Sequence, residues 1–467
     1  MINTSTEIDD HTNSADAVTQ RTSGVKAIGH SIVSKIGILG INAATGIITA
    51  RALQPTGRGE LAAMIIWSLF LASSTTLGVP SSLVYHLRRR PDLRREFTST
   101  SLVMAFCLGT VATLAGAIFL PAWLHQYSPS LIRSARWFLL FTPICSMTLA
   151  GRAILEATDK FSMSNVVQTF TPLATLVALI SFSLMHHLTP YTAGIAYVFA
   201  SIPTFMLLLF RLNLQWMRPR YFRLEVGKLL LSYGIRSYGI DLLGTLALQV
   251  DQVLVVNLLS PSAMGSYIVV LSLSRMLNLF QNSVVMVLFP KSAGKSSGDI
   301  LGLTEQSARL STSITAVCGL AVCVLGPFLL RLLYGREYVG AVNSLRVLVT
   351  EVTLSGLVFV LAQAFMASGR PGIVTFLQAI GLSLSLPVMY WLVPKWGVFG
   401  AAVALLISTT ARLILILFAF PIVLKTRFPN LLPRISDFEM VTGTFLNRKM
   451  RRTVESAGST PTATARW

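Results

Sequence analysis

The chain has 467 residues, 53% hydrophobic and 12% charged, with a formal net charge of +19. Soluble domains carry about 25% charged residues, so this composition excludes ordinary globular packing and points to a protein that crosses a membrane many times. The basic surplus fits Lys and Arg held in cytoplasmic loops better than a nucleic-acid surface, and no nucleic-acid partner is expected.

The chain opens on MINTSTEIDDHTNSADAVTQRTSG, rich in Ser, Thr and Asp. That composition predicts a disordered tail over residues 1–25 without a cleavable signal. A helical span needs about 20 mostly apolar residues. Segments of that kind lie at 29–50, 60–84, 99–121, 135–155, 164–185, 191–211, 229–256, 264–289, 311–333, 344–368, 371–393 and 397–424. The reading is an all-α integral membrane protein of about 12 transmembrane helices in two pseudo-symmetric six-helix lobes. The lobes are expected at 26–213 and 229–424, joined by a basic linker at 214–228 and followed by a basic tail at 425–467. Connections between spans are short and leave no room for an extramembrane domain.

Alternation of twelve spans puts the main clusters of loop arginines on one side. Arg88, Arg89, Arg90, Arg94 and Arg95 follow span two; Arg218, Arg220, Arg223 and Lys228 follow span six; Arg370 follows span ten. The opposite side is sparse, with Lys395 alone after span eleven. The bias places both termini in the cytoplasm. Cys107, Cys145, Cys318 and Cys323 fall in apolar stretches without metal-ligand spacing and are read as small packing residues. There is no nucleotide-binding loop, zinc pattern or nucleophile motif.

The halves repeat. Leu53, Pro55 and Gly59 match Leu259, Pro261 and Gly265 at an offset of 206 residues, as do Gly194 and Gly400. Ala157, Thr158, Lys160 and Gln168 match Ala367, Ser368, Arg370 and Gln378 at an offset of 210. An even number of spans per copy gives both copies the same orientation, so the repeats should be parallel, with the substrate site near the midplane between them.

The segment VDQVLVVNLLSPSAMGSY (250–267) has an Asp near the end of span seven, a short turn, then Gly-x-Tyr opening span eight. Together with LGVPSSLVYHLRRR (77–90) and the twelve-span pattern, it resembles the bacterial polysaccharide flippases of the multidrug/oligosaccharidyl-lipid/polysaccharide exporter superfamily, over roughly residues 25–425. The resemblance departs at Arg236, where family members often carry Pro. It implies alternating access, an undecaprenyl-pyrophosphate-linked oligosaccharide as cargo, a bacterial inner-membrane location and an assembly line with glycan polymerase and chain-length machinery. It further implies no cofactor beyond a proton, sodium or membrane-potential drive.

Ionisable residues at membrane depth cost about 2.5–3.5 kcal/mol on insertion scales and should face a cavity or a partner. Arg275, Asn278 and Asn282 share a helical face in span eight, giving either a stripe for an anionic cargo or an inter-lobe hydrogen-bond cluster. Lys35 and Asn42 lie on a similar stripe in span one, and Arg412 is deep in span twelve; these complete the expected cavity lining. Asp251, Asp241, Glu351 and Arg236 are expected to couple or gate, with structural ion pairing to Arg236, Arg275 or Arg412 as the other reading. A multidrug exporter of the same superfamily is the alternative function, but cationic drugs would require a net acidic cavity. A membrane-embedded glycan polymerase is disfavoured because the loops opposite the termini are too short to carry its chemistry.

Overall fold

The computed structural model describes residues 6–212, 221–292 and 297–432, with side chains described from Ser34 onward apart from a few in the seventh and eighth passages. The first helix, α1 (Thr6–Ser74), extends back into the polar N-terminal segment and is divided by non-helical dihedrals at Gln54 (φ 58°, ψ 179°). Pro55 follows at once. Proline is favoured at the first helical position because it lacks the N–H that would go unused there, so the second half of α1 begins at Pro55 rather than at the expected residue 60.

Then come α2 (Val79–Arg89), α3 (Arg94–Trp123), α4 (Pro129–Leu139), α5 (Thr142–Ala157), α6 (Phe161–Leu184), α7 (Pro190–Phe199) and α8 (Ser201–Leu212). The second half of the chain gives α9 (Leu224–Leu258), α10 (Pro261–Arg275), α11 (Asn278–Ser292), α12 (Ser297–Leu329), α13 (Val342–Ala367) and α14 (Pro371–Ala419). The last of these is again divided, at Gly397 (φ 58°, ψ −133°). No strand occurs among the described residues.

Eight helical stretches are long and apolar enough to cross a membrane, and the α10–α11 pair makes a ninth. Two of the eight, Ser34–Ser74 and Pro371–Leu424, are each two helices joined at Gln54 and Gly397. With α9, whose 35 residues suffice to span, the described residues make about twelve passages. The protein is therefore an all-α membrane protein of the expected span count.

The two sequence repeats recur as geometry. α5 ends with Asp159 at φ 56° and α13 with Gly369 at φ 72°, positions 210 apart. At both, the residue that follows donates its N–H back to the helix, from Lys160 to the Leu155 carbonyl and from Arg370 to the Phe365 carbonyl, each at 2.9 Å. This closes the orphan carbonyls of the last turn in the manner of a left-handed helix stop. The offset of 206 appears as a crossing. A Cβ on Gly59 would fall onto the Pro261 carbonyl, and a Cβ on Gly265 would fall onto the Pro55 carbonyl. Each backbone occupies the space that a side chain on its counterpart would need, so only glycine fits at either position.

Packing groups the chain into two compact units whose borders differ from the six-plus-six count. One combines Met1–Met276 with Val322–Glu351 and Gln378–Ser408; the other combines Leu277–Ala321, Val352–Leu377 and Thr409–Trp467. A reason lies in the turn after α12. Arg51 donates from its Nε to the Leu333 carbonyl at 2.9 Å and from Nη2 to the Leu332 carbonyl, while Tyr338 Oη donates to the Ala50 carbonyl at 3.1 Å. Ala50 and Leu53 belong to the last turn before the break at Gln54, where helix carbonyls have no partner of their own. These bonds fasten residues 330–341 to the α1 hairpin. The second unit has its own core, with Leu288, Val360, Leu361, Phe365, Ile416 and Phe420 at 3% exposure or less.

Candidate functional site

Starting the second half of α1 at Pro55 moves Arg58 from a connection into the first turn of a membrane helix. Its side chain is 8% exposed and lines a cavity of about 450 Å³ in the first unit. Arg58 makes no hydrogen bond or ion pair with any described residue, and its Nε is fully buried without an acceptor. The Tyr334 and Tyr338 side chains lie within its electrostatic reach. A buried charge without a partner is expensive.

The rest of the cavity wall is neutral. Asn42, Gln249 and Gln252 contribute amides, Thr45, Thr171 and Ser201 contribute hydroxyls, and Phe141, Pro172, Leu69 and Ile268 form apolar faces. No carboxylate lines it among the described residues. Several hydroxyls already donate to backbone, as Thr45 does to the Asn42 carbonyl at 2.9 Å, which leaves their oxygens free to accept. The amides of Asn42, Gln249 and Gln252 make no hydrogen bond among the described residues and can both donate and accept.

A second polar cluster lies in the same unit and is neutralised. Asp251, 2% exposed, accepts from Arg275 Nη2 and from Tyr267 Oη, both at its Oδ2 and both at 2.8 Å. Glu351, 9% exposed, lies within electrostatic range of Arg275 and Tyr267. Arg275 therefore meets a permanent acid. This is the structural ion pair that the sequence offered as the other reading of Asp251.

The other expected site residues are dispersed. The stripe Arg275–Asn278–Asn282 requires one continuous helix, but the helix stops at Arg275 and restarts at Asn278. Asn282 is exposed, whereas its neighbour Gln281 is buried and its Nε2 donates to Thr315 Oγ1 at 3.2 Å. Of the span-one stripe, Asn42 reaches the cavity and Lys35 is exposed and does not line it. Arg236 is exposed. Arg412 donates to Thr409 Oγ1 at 3.0 Å within the second unit. The side chain of Asp241 lies outside the described residues. Sequence reasoning missed Arg58 by placing it in a loop; the signal that could have found it is the proline three residues earlier, which sets the helix start.

The fold has solved relatives. The chain is similar to the lipid II flippase MurJ in an inward closed conformation, with a TM-score of 0.70 and 13% identity over 92% of each chain. It is similar to an inward-facing multidrug-resistance MATE family transporter of the MOP superfamily, with a TM-score of 0.66 and 13% identity over 81% of this chain and 92% of that one. A MOP superfamily transporter from Pyrococcus furiosus, noted for the reverse polarity of its binding pocket, matches with a TM-score of 0.55 and 15% identity over 84% and 94%. At such identities the likeness concerns the fold. No curated protein matches the chain. The model of a family described as polysaccharide biosynthesis protein matches residues 48–343, more than half of the sequence and a stretch that includes Arg58, Asp251, Tyr267 and Arg275. The chain belongs to the polysaccharide biosynthesis protein family and has the fold of MOP superfamily transporters.

Proposed function

We propose that the protein is a flippase that carries an undecaprenyl-pyrophosphate-linked oligosaccharide across a bacterial inner membrane by alternating access, without covalent chemistry, for surface polysaccharide export. Both termini are cytoplasmic in this reading, and the two six-span lobes at 26–213 and 229–424 are the moving bodies. The carrying observation is Arg58: a buried guanidinium without a partner, in a cavity that no acid lines, among the described residues. Such a cavity repels the cationic drugs that the alternative exporter would carry and favours an anionic, hydroxyl-rich cargo. Membership of the polysaccharide biosynthesis family supports the same cargo class.

The Asp251–Arg275–Tyr267 cluster, with Glu351 beside it, is the gating element of this reading, because its charges can exchange partners when the helices move. The test is genetic. Deletion of the protein should abolish surface polysaccharide and trap lipid-linked repeat units in the cytoplasmic leaflet. Undiminished surface polysaccharide, together with drug sensitivity in the deletion strain, would replace this reading with the multidrug exporter.

A further inference from the structure

Resting on the flippase reading, we infer that the Arg58 cavity is a selectivity subsite for one acidic glycosyl unit of the cargo, a sugar that carries a single carboxylate. The argument begins with charge. The lining supplies one guanidinium and no acid among the described residues. A ligand with one negative charge leaves the cavity neutral. A diphosphate brings more than one and would leave an unbalanced charge buried, which costs as much as the unpaired arginine it was meant to relieve. The planar guanidinium also matches a carboxylate in a two-point grip.

The wall chemistry completes the picture. A sugar ring presents hydroxyls at its rim and C–H groups on its faces. The amides of Asn42, Gln249 and Gln252 offer donors and acceptors for the rim, and Phe141 and Leu69 offer apolar surface for a face. The volume of about 450 Å³ lies at the small end of ligand pockets, which run roughly from 300 to 1,000 Å³. It suits a single ring rather than an oligosaccharide with its polyprenyl chain. The diphosphate must then be held elsewhere along the path.

The experiment uses the full-length protein in detergent micelles, titrated with D-glucuronate, D-glucose and pyrophosphate at matched ionic strength. Wild type should bind glucuronate at least about tenfold more tightly than glucose, the scale of one hydrogen bond to a charged group, and more tightly than pyrophosphate. Arg58→Gln should remove the preference for glucuronate over glucose, and Arg58→Lys should restore part of it. If Arg58→Gln fails to fold, Gln252→Ala should weaken glucuronate and glucose alike, because it removes a rim contact and leaves the charge. Equal binding of glucose and glucuronate, stronger binding of pyrophosphate, no binding of any of the three, or a glucuronate preference that survives Arg58→Gln would each overturn the inference. Any of these results with polysaccharide still lost on deletion sinks the subsite alone. Undiminished polysaccharide in the deletion strain sinks the flippase reading whatever glucuronate does.

Discussion

The two copies of the repeated hairpin share a scaffold and differ in charge. In the first copy, Thr45, Arg58 and Leu69 stand 206 residues before Asp251, Met264 and Arg275 in the second. The second copy has paired its cation: Arg275 donates to Asp251, and Tyr267 supports the same oxygen. The first copy has Thr where the second has its acid and keeps an arginine, one turn into the next helix, that no described residue pairs. A duplicated fold can thus use one copy as a closed internal brace and leave the other chemically open. The difference lies in a few side chains, since the backbones cross reciprocally at Gly59 and Gly265.

The largest effect is expected where the copies are alike. Gly59→Ala puts a Cβ onto the Pro261 carbonyl, with the Gly265 nitrogen only 2.9 Å away. Neither atom is the movable end of a side chain, so the substitution should cost about 3 kcal/mol or more and abolish accumulation of folded protein. Gly265→Ala should do the same. Gly46→Ala, in the same helix with nothing within 4 Å, is the control and should fold as wild type. Equal yields for Gly59→Ala and Gly46→Ala would mean that the hairpins do not cross at this point.

The next effect separates brace from binding site. Arg275→Ala strands the Asp251 carboxyl without its guanidinium partner at 2% exposure. Stranding one member of a buried pair costs about 3–5 kcal/mol, and the lower end applies because the Arg275 side chain is 34% exposed. Asp251→Asn combined with Arg275→Gln removes both charges and should recover most of the lost thermal stability. A cargo-binding Arg275 would behave differently: the single variant would remain stable and lose export, and the double variant would gain nothing.

A smaller effect converts the open copy toward the closed one. Thr45→Asp introduces into the first copy the acid that the second carries at Asp251. Thr45 is 3% exposed and lines the same cavity as Arg58. The new carboxylate should neutralise Arg58 and reduce export about tenfold, equivalent to about 1.4 kcal/mol. It should destabilise the protein more in an Arg58→Gln background than alone. A double-mutant cycle on thermal unfolding reads that coupling, and zero coupling would show that positions 45 and 58 do not share an environment.

What the sequence made legible followed from periodicity and offset. The span count and the duplication rest on patterns along the chain; the left-handed helix stops at Asp159 and Gly369 emerged only in the structure. The site was less legible because it depends on partners far apart in sequence. Asp251 and Arg275 both stood out as deep charges, but periodicity within one helix cannot decide whether two such charges meet across a turn. Shared-face reasoning on span eight failed because it assumes an unbroken helix, and the break after Arg275 has no proline or glycine to announce it. Arg58 was hidden by a boundary error of five residues, enough to turn a buried cation into a loop cation.

The smallest expected effect lies at the end of α2, outside the membrane-spanning stretches. His86 packs parallel to Phe97 at 6.0 Å and edge-on to Tyr233 at 5.5 Å and Tyr85 at 5.0 Å. Burial lowers its pKa first, and the nearby Arg90 and Arg89 guanidinium groups lower it further. The position 206 residues on is Ser292, so this titrating group, like Arg58, belongs to one copy alone. The unfolded chain, near the ordinary histidine value of about 6.5, takes up its proton at a higher pH than the folded protein does. The contribution of His86 is therefore complete above about pH 6.5 and is lost as pH falls toward the lowered folded value. His86→Phe preserves an aromatic ring against Phe97 and removes that proton. Its Tm should fall less steeply than wild type between about pH 7 and pH 5, while the two proteins keep the same difference in Tm above pH 7. Parallel curves throughout would mean that His86 takes up its proton equally well in both states and that burial beside two arginines has no consequence at this end of the helix.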